Sequence, residues 1–294
     1  MRIVFFVIAG LLLLTSAVQA QRLESHLAVY DLATGETRTV FSAEAHFEAP
    51  NWSLDGQSLI FNWEGRLYRV PVEGGEPVVI PTGDLTDLNN DHGLAPGGQT
   101  LVVSSQDGHI YTVPVEGGEP RRVTEKTPSW WHGISPDGRT LAYVGRRDGR
   151  FDLYTIPIDG GEETALTADE AHDDGPDYSP DGKWIYWNTN RGGTFNIWRL
   201  PAGGGEAEQI TDDAYEDWFP HPSPDGEKIV FLSFEPGTEG HPANHPVRLR
   251  MMTSEGEDLK TLVEIFGGQG TINVPSWSPD SGAFAFVYYR LLEE

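Results

Sequence analysis

Cysteine is absent from the 294 residues. That excludes disulfides, thiolate metal sites and a lipid-modified N-terminal cysteine. Basic residues are scarce: 20 Lys and Arg stand against 45 Asp and Glu, a net charge of −25. Such a field repels nucleic acid and anionic lipid, so neither is expected as a partner, and it attracts cations and basic partners. Long apolar runs are also lacking, with one exception. Ile3 to Leu14 follows Met1-Arg2 and precedes Val18-Gln19-Ala20, the pattern of a secretory signal peptide cut after Ala20. The run is short for a transmembrane anchor. Residues 1–20 therefore read as a leader and 21–294 as one domain, expected in the periplasm or secreted, not inserted in a membrane, and monomeric.

Turn residues are abundant, with 34 Gly and 21 Pro, and aromatics make up 11% of the chain. That combination predicts many short β-strands joined by tight turns. The turns form two repeated phrases. One recurs as Ser53-Leu54-Asp55-Gly56, Ala95-Pro96-Gly97-Gly98, Ser135-Pro136-Asp137-Gly138, Ser179-Pro180-Asp181-Gly182, Ser223-Pro224-Asp225-Gly226 and Ser278-Pro279-Asp280-Ser281. Proline presets φ at the second turn position, Asp bonds back to the chain, and Gly accepts the left-handed conformation. The second phrase, of the Glu-Gly-Gly-Glu type, recurs at 72–77, 115–120, 158–163, 202–207 and 253–258. Its sixth copy, at 32–37, precedes every copy of the first phrase. Short apolar runs such as Leu59-Ile60-Phe61 and Ile110-Tyr111-Thr112-Val113 lie between them and read as strands.

Each repeat thus has four strands: A before the Pro-Asp-Gly turn, B after it, C before the Gly-Gly-Glu turn, D after it. Four antiparallel strands every forty-odd residues describe a propeller blade. The N-terminus supplies only C and D (about 26–41) and the C-terminus only A and B (about 273–289). The expected fold is therefore all-β, a six-bladed β-propeller closed by pairing the two ends, which leaves few open sheet edges.

The recurring Ser-Pro-Asp-Gly and Ile-Asp-Gly-Gly-Glu-Glu phrases resemble the repeats of the TolB-like β-propellers over essentially the whole mature chain. TolB carries an additional N-terminal α/β domain, and six blades are expected to use up residues 21–294, leaving no room for it. A looser likeness is to oligogalacturonate lyase, a propeller with similar repeats. It implies histidines near the axis holding a divalent metal ion, an analogy of fold and placement.

Four blades place proline four residues before the second turn position, at Pro50, Pro176, Pro220 and Pro275. Two adjacent blades place His92 and His132 there instead. Strand A lines the channel, and the stereotyped turns occupy one face, so variety gathers at the other mouth, where function is expected. Asn90, Asp91, His92, Trp131, His132, Trp218 and His221 are the candidate ligand-binding residues there. The 234–247 segment, with His241 and His245, would form a lid or rim. The plainer alternative for His92 and His132 is a hydrogen bond to a neighbouring strand's carbonyl.

Two functions fit this pattern. The first is a binding module that presents the mouth to a protein, peptide or glycan. The alternative is a metal-assisted carbohydrate-active enzyme. In a lyase, His92, His132, His221 and His245 would hold a divalent metal against a uronate carboxylate while His172 or an oxygen base took the C5 proton. In a hydrolase, Asp174 and Asp217 would share acid and base duties across the channel.

Overall fold

A computed structural model describes residues 22–292. The leader read at 1–20 lies outside the described residues. Among the described residues, twenty-three strands form six sheets around one axis, with a single short 3-10 turn, η1 (Gln269–Thr271). Five blades are continuous: β3 to β6 (47–80), β7 to β10 (88–122), β11 to β14 (129–165), β15 to β18 (173–209) and β19 to β22 (216–268). The sixth is shared between the ends. β1 (Leu23–Asp31) pairs with β2 (Thr37–Ala43) on one side and with β23 (Ala283–Leu291) on the other, and β1 and β23 run together from Leu23↔Leu291 to Asp31↔Ala283. Its innermost strand is reduced to a Trp277↔Phe284 bridge and an Ala285 N–H bond to the Ser276 carbonyl. The ring is closed as the permuted ends require. Among the described residues no helix is long and apolar enough to cross a membrane.

The second strand of each blade is buried on both sides because it lies between two neighbouring blades. In β4 (Ser58–Trp63), Leu59 and Phe61 pack with Ala285, Val287 and Tyr289 of the shared blade, while Ile60 packs with Leu101 and Val103 of the next. In β8 (Thr100–Ser105) the alternation continues: Val102 turns to Leu141 and Tyr143. Each such side chain contributes about 1.5–3 kcal/mol on burial. The period of two along the strand therefore becomes the glue between blades.

The Pro-Asp-Gly turns are built alike. Ser53 Oγ donates to Asp55 Oδ1 (2.7 Å) and accepts from the Ser58 N–H (2.9 Å), and the Gln57 N–H donates to Asp55 Oδ1 (2.9 Å). The same set recurs at Ser135, Ser179, Ser223 and Ser278. Gly56 takes φ 73°, which a side chain would strain.

Candidate functional site

The innermost strands are β3 (Phe47–Trp52), β7 (Leu88–Leu94), β11 (Ser129–Ile134), β15 (Asp173–Tyr178) and β19 (Glu216–Pro222). Each slips register against its partner at the Pro or His or, in β7, just before it. In three of the four proline blades the bulge carries a left-handed residue just before the proline: Ala49 at φ 60°, Gly175 at 62°, Phe219 at 55°. In β7 and β11 the equivalent residues, Asp91 and Trp131, are not left-handed. The Pro-to-His exchange thus accompanies a different kind of bulge. The two histidines then diverge.

His92 is fully buried and its Nδ1 lies 3.1 Å from the Asn90 carbonyl, while Nε2 has no partner. Burial pushes its pKa down to about 4, offset only in part by backbone carbonyls. It is a neutral ring set against backbone carbonyls, that of Asn90 on its own strand and that of Ile60 on the neighbouring blade.

His132 does more. Its Nε2 stands 3.2 Å from Asp174 Oδ1, and the other carboxylate oxygen of Asp174 is 3.4 Å from Nε2 of His241. One carboxylate from β15 therefore joins a histidine on β11 to a histidine in the loop after β20 (Lys228–Phe234). Burial works against the His132 cation, but Asp91 and Asp174 together outweigh it and raise the pKa above its ordinary value. Asp174 is held well below the usual carboxylate range, since the two histidines overcome its desolvation. Asp91 accepts from Asn273 Nδ2 (3.0 Å) and from Asn89 Nδ2 (2.5 Å); burial raises its pKa, with His132 opposing.

Aromatic rings wall this cluster. Phe219 stacks on His132 at 5.8 Å, and His241 meets Trp218 edge-on at 4.5 Å. His172 stacks on Phe151 at 4.4 Å and turns its edge to Trp218 at 6.1 Å. Burial lowers its pKa against the pull of Asp174. Trp218 is completely buried, so it packs the wall and is not an open platform. The mouth itself is capped: His132 is 3% exposed and Asp174 9%, and His241, on the loop, keeps about a quarter of its side chain open.

Other candidates lie elsewhere. His221 uses both ring nitrogens internally, Nδ1 at 3.1 Å from Asp177 Oδ2 and Nε2 at 2.8 Å from the Ile272 carbonyl. His245 sits on β21 (Ala243–Thr253), paired with Gly267 and packed near Phe234. His92, His132, His221 and His245 are therefore not assembled as a metal set, and among the described residues no three His, Asp or Glu side chains are placed to hold an ion. Asp217 does not face Asp174 across the channel. It is buried within its blade, accepting from Ser233 Oγ (2.6 Å) and from Arg250 (3.2 Å); burial drives its pKa up to about 7 against the attraction of Arg250. Trp131 lies flat on Gly93, where a Cβ would come within 2.2 Å of the ring, and borders the channel on the opposite, Pro-Asp-Gly side.

Three channel residues escaped the candidate set. Glu48 on β3 is bonded to Asn90 and crowded by η1, for a Cβ on Gly270 would fall 2.0 Å from its Oε2. Burial raises its pKa to about 7, and Asp91 adds to the rise. Asn273 completes the Asp91 cradle, and His241 completes that of Asp174. Glu48, Asn90, Asp174 and Asn273 all stand six residues before the second turn position. That polar column was visible in the sequence, two residues upstream of the proline/histidine column.

Comparison with known proteins agrees with the repeat pattern. A family profile described as the TolB beta propeller domain matches residues 126–241. An uncharacterised protein of Agrobacterium fabrum is 47% identical over 276 residues, spanning 92% of this chain and 94% of its own. A solved structure from Agrobacterium tumefaciens, assigned as TolB, is similar at TM-score 0.89 with 46% identity, covering 93% of this chain and 100% of that one. TolB from Acinetobacter baumannii shares the fold at TM-score 0.62 with 20% identity, over 79% of this chain and 61% of that one.

Proposed function

The chain belongs to the TolB-like β-propeller family, and we propose that it is an exported, periplasmic binding module of that family, meeting a partner protein, peptide or glycan at the mouth ringed by His241, His172 and the loop after β20. One observation carries this reading: the carboxylate nearest the mouth and two of the other candidate groups are held by internal partners. Asp174 is shared by His132 and His241, His221 is saturated, and Asp217 is held by Arg250 and Ser233. General acid–base work needs a group free to exchange a proton with substrate, and a lyase site of the kind considered needs converging metal ligands. Among the described residues no converging set of metal ligands is placed at this mouth, and Asp174 is already engaged by two histidines, so recognition fits it better than turnover. A rigid ring presenting a partly exposed histidine on a longer loop suits recognition without reorganisation.

The test is a photo-crosslinking residue at Glu239, an exposed position of the same loop, in the exported chain within cells. The expected result is a discrete adduct that disappears in Asp174→Ala, together with no turnover of polyuronate or neutral polysaccharides by the purified chain. The mature protein should begin at Gln21. Steady turnover of any of those polysaccharides, abolished by Asp174→Ala, would overturn the binding reading.

A further inference from the structure

The opposite end of the channel is open. Where the Pro-Asp-Gly turns begin, a funnel of about 420 Å³ is rimmed by Leu54, Pro96, Pro136, Tyr178, Pro224 and Trp277, one from each blade. The rim is apolar, and Leu54 is 49% exposed, the one turn in which leucine replaces proline or serves in its place beside solvent. Asn51, Trp52, Trp131 and Ile134 line its deeper wall. An opening of this size with an apolar rim admits apolar side chains, and a polypeptide carries such side chains next to charged ones.

Charge surrounds the funnel. The twelve turns of this face (31–36, 53–57, 71–77, 95–99, 114–120, 135–139, 157–163, 179–183, 201–206, 223–228, 253–258 and 278–282) carry nineteen Asp and Glu against Arg139, Lys183 and Lys228. Arg69, Arg121, Arg147 and Arg199 reach in from the strands to pair with Glu116, Asp159, Glu163 and Glu255, and Lys126 joins Glu163. Even so, carboxylates outnumber bases about two to one. The turn aspartates are held below the usual carboxylate range, Asp181 first by Lys183 and Asp55, Asp137 and Asp280 by serine hydroxyls and backbone N–H groups. Uronate glycans, nucleic acid and anionic lipid are repelled by such a face.

We propose that this second mouth is a docking site for a polypeptide segment with an apolar tip flanked by Lys and Arg, the tip entering the Leu54–Tyr178–Trp277 funnel and the basic flanks lying over the acidic turns. This surface is distinct from the His241 mouth, and a partner of either could bind without the other.

The experiment uses the mature chain and three labelled probes in fluorescence anisotropy: a peptide with a Leu-Pro-Tyr core and two Lys on each side, the same core with Glu flanks, and a neutral oligosaccharide. The Lys-flanked peptide should bind, weaken several-fold as salt rises from 50 to 300 mM, and lose roughly five- to tenfold in affinity with Leu54→Ser, the loss expected from deleting most of one apolar contact. Leu54 is exposed, so the fold should survive, and an unchanged melting curve checks that. Asp174→Ala should leave this binding intact while abolishing the crosslink at the other mouth, which separates the two readings. Equal binding of the Glu-flanked peptide, preference for the oligosaccharide, no binding of any probe, or indifference to both salt and Leu54→Ser would each overturn the proposal.

Discussion

Replacing Asp174 by Asn should be among the most damaging isosteric changes available in this protein. The amide keeps the shape but removes the charge on which two histidines converge, at 3.2 and 3.4 Å. His132 would be left buried beside Asp91 alone. Removing one member of a buried ion pair costs about 3–5 kcal/mol, because the survivor stays desolvated without compensation. For a chain of this size each kcal/mol lowers Tm by about 2–4 °C, so a drop on the order of 10 °C is expected. The effect has a pH window. Asp174 is depressed below 3.8 in the folded state, so its contribution is full above that value and fades as pH falls. His132 is raised above 6.5, so its contribution is full below that value and is lost as pH rises through the folded value. The gap between wild type and Asp174→Asn, read as urea midpoints, should therefore be widest near pH 5–6 and narrow on the alkaline side. A double-mutant cycle with His132→Gln should return a coupling of roughly 1–3 kcal/mol. A loss below about 1 kcal/mol at pH 6, or a coupling indistinguishable from zero, would show that the cluster is not an ion pair at all.

Glu48 supplies the opposite sign. Its folded pKa, near 7, lies above the ordinary 4.5, so wild-type stability is full below pH 4.5 and falls as pH rises to about 7; Glu48→Gln should be more stable than wild type at pH 8 by up to about 3 kcal/mol, and equal to it at pH 4.5. Urea midpoints at the two pH values measure this. Gly93→Ala tests the packing of adjacent innermost strands: a Cβ there would lie 2.2 Å from the Trp131 ring, inside a blade interface, and should destabilise by about 1–3 kcal/mol in the same assay.

The architecture was legible because its determinants are local. A turn of Ser-Pro-Asp-Gly type closes through atoms within five residues of one another, so its sequence and its structure repeat together. The permuted ends were legible for the same reason: 32–37 precedes any Pro-Asp-Gly copy, and β1 duly pairs with β23. The site was legible only in part. Composition brought Asp91, His132, Asp174 and the 234–247 segment to one mouth, and His132, Asp174 and His241 do meet there. Which histidine points where depends on bulge geometry. His92 and His132 share a column, yet one meets backbone carbonyls and the other meets the Asp174 carboxylate of the next blade. No local spacing encodes that difference. Asp217 misled because side chains alternate along a strand, and a shift of one residue from Trp218 turns it away from the axis into Ser233 and Arg250.

The two mouths also invert the usual reading of repeats. Variable segments are the customary place to look for function, and stereotyped turns the customary place to stop looking. Here the variable end is filled by its own side chains, with Trp218 and Phe219 buried and η1 set against Glu48. The stereotyped end leaves a cavity, because a ring of six similar turns cannot close on the axis without large side chains pointing inward. Proline at the second position holds each turn but is too short to meet its neighbours across the centre. Leu54, Tyr178 and Trp277 extend further, yet from only some of the blades. Symmetry of a structural motif thus generates an opening, and the acidic residues that keep those turns soluble give it a charge preference. A surface can acquire binding specificity from residues whose first role is to shape turns.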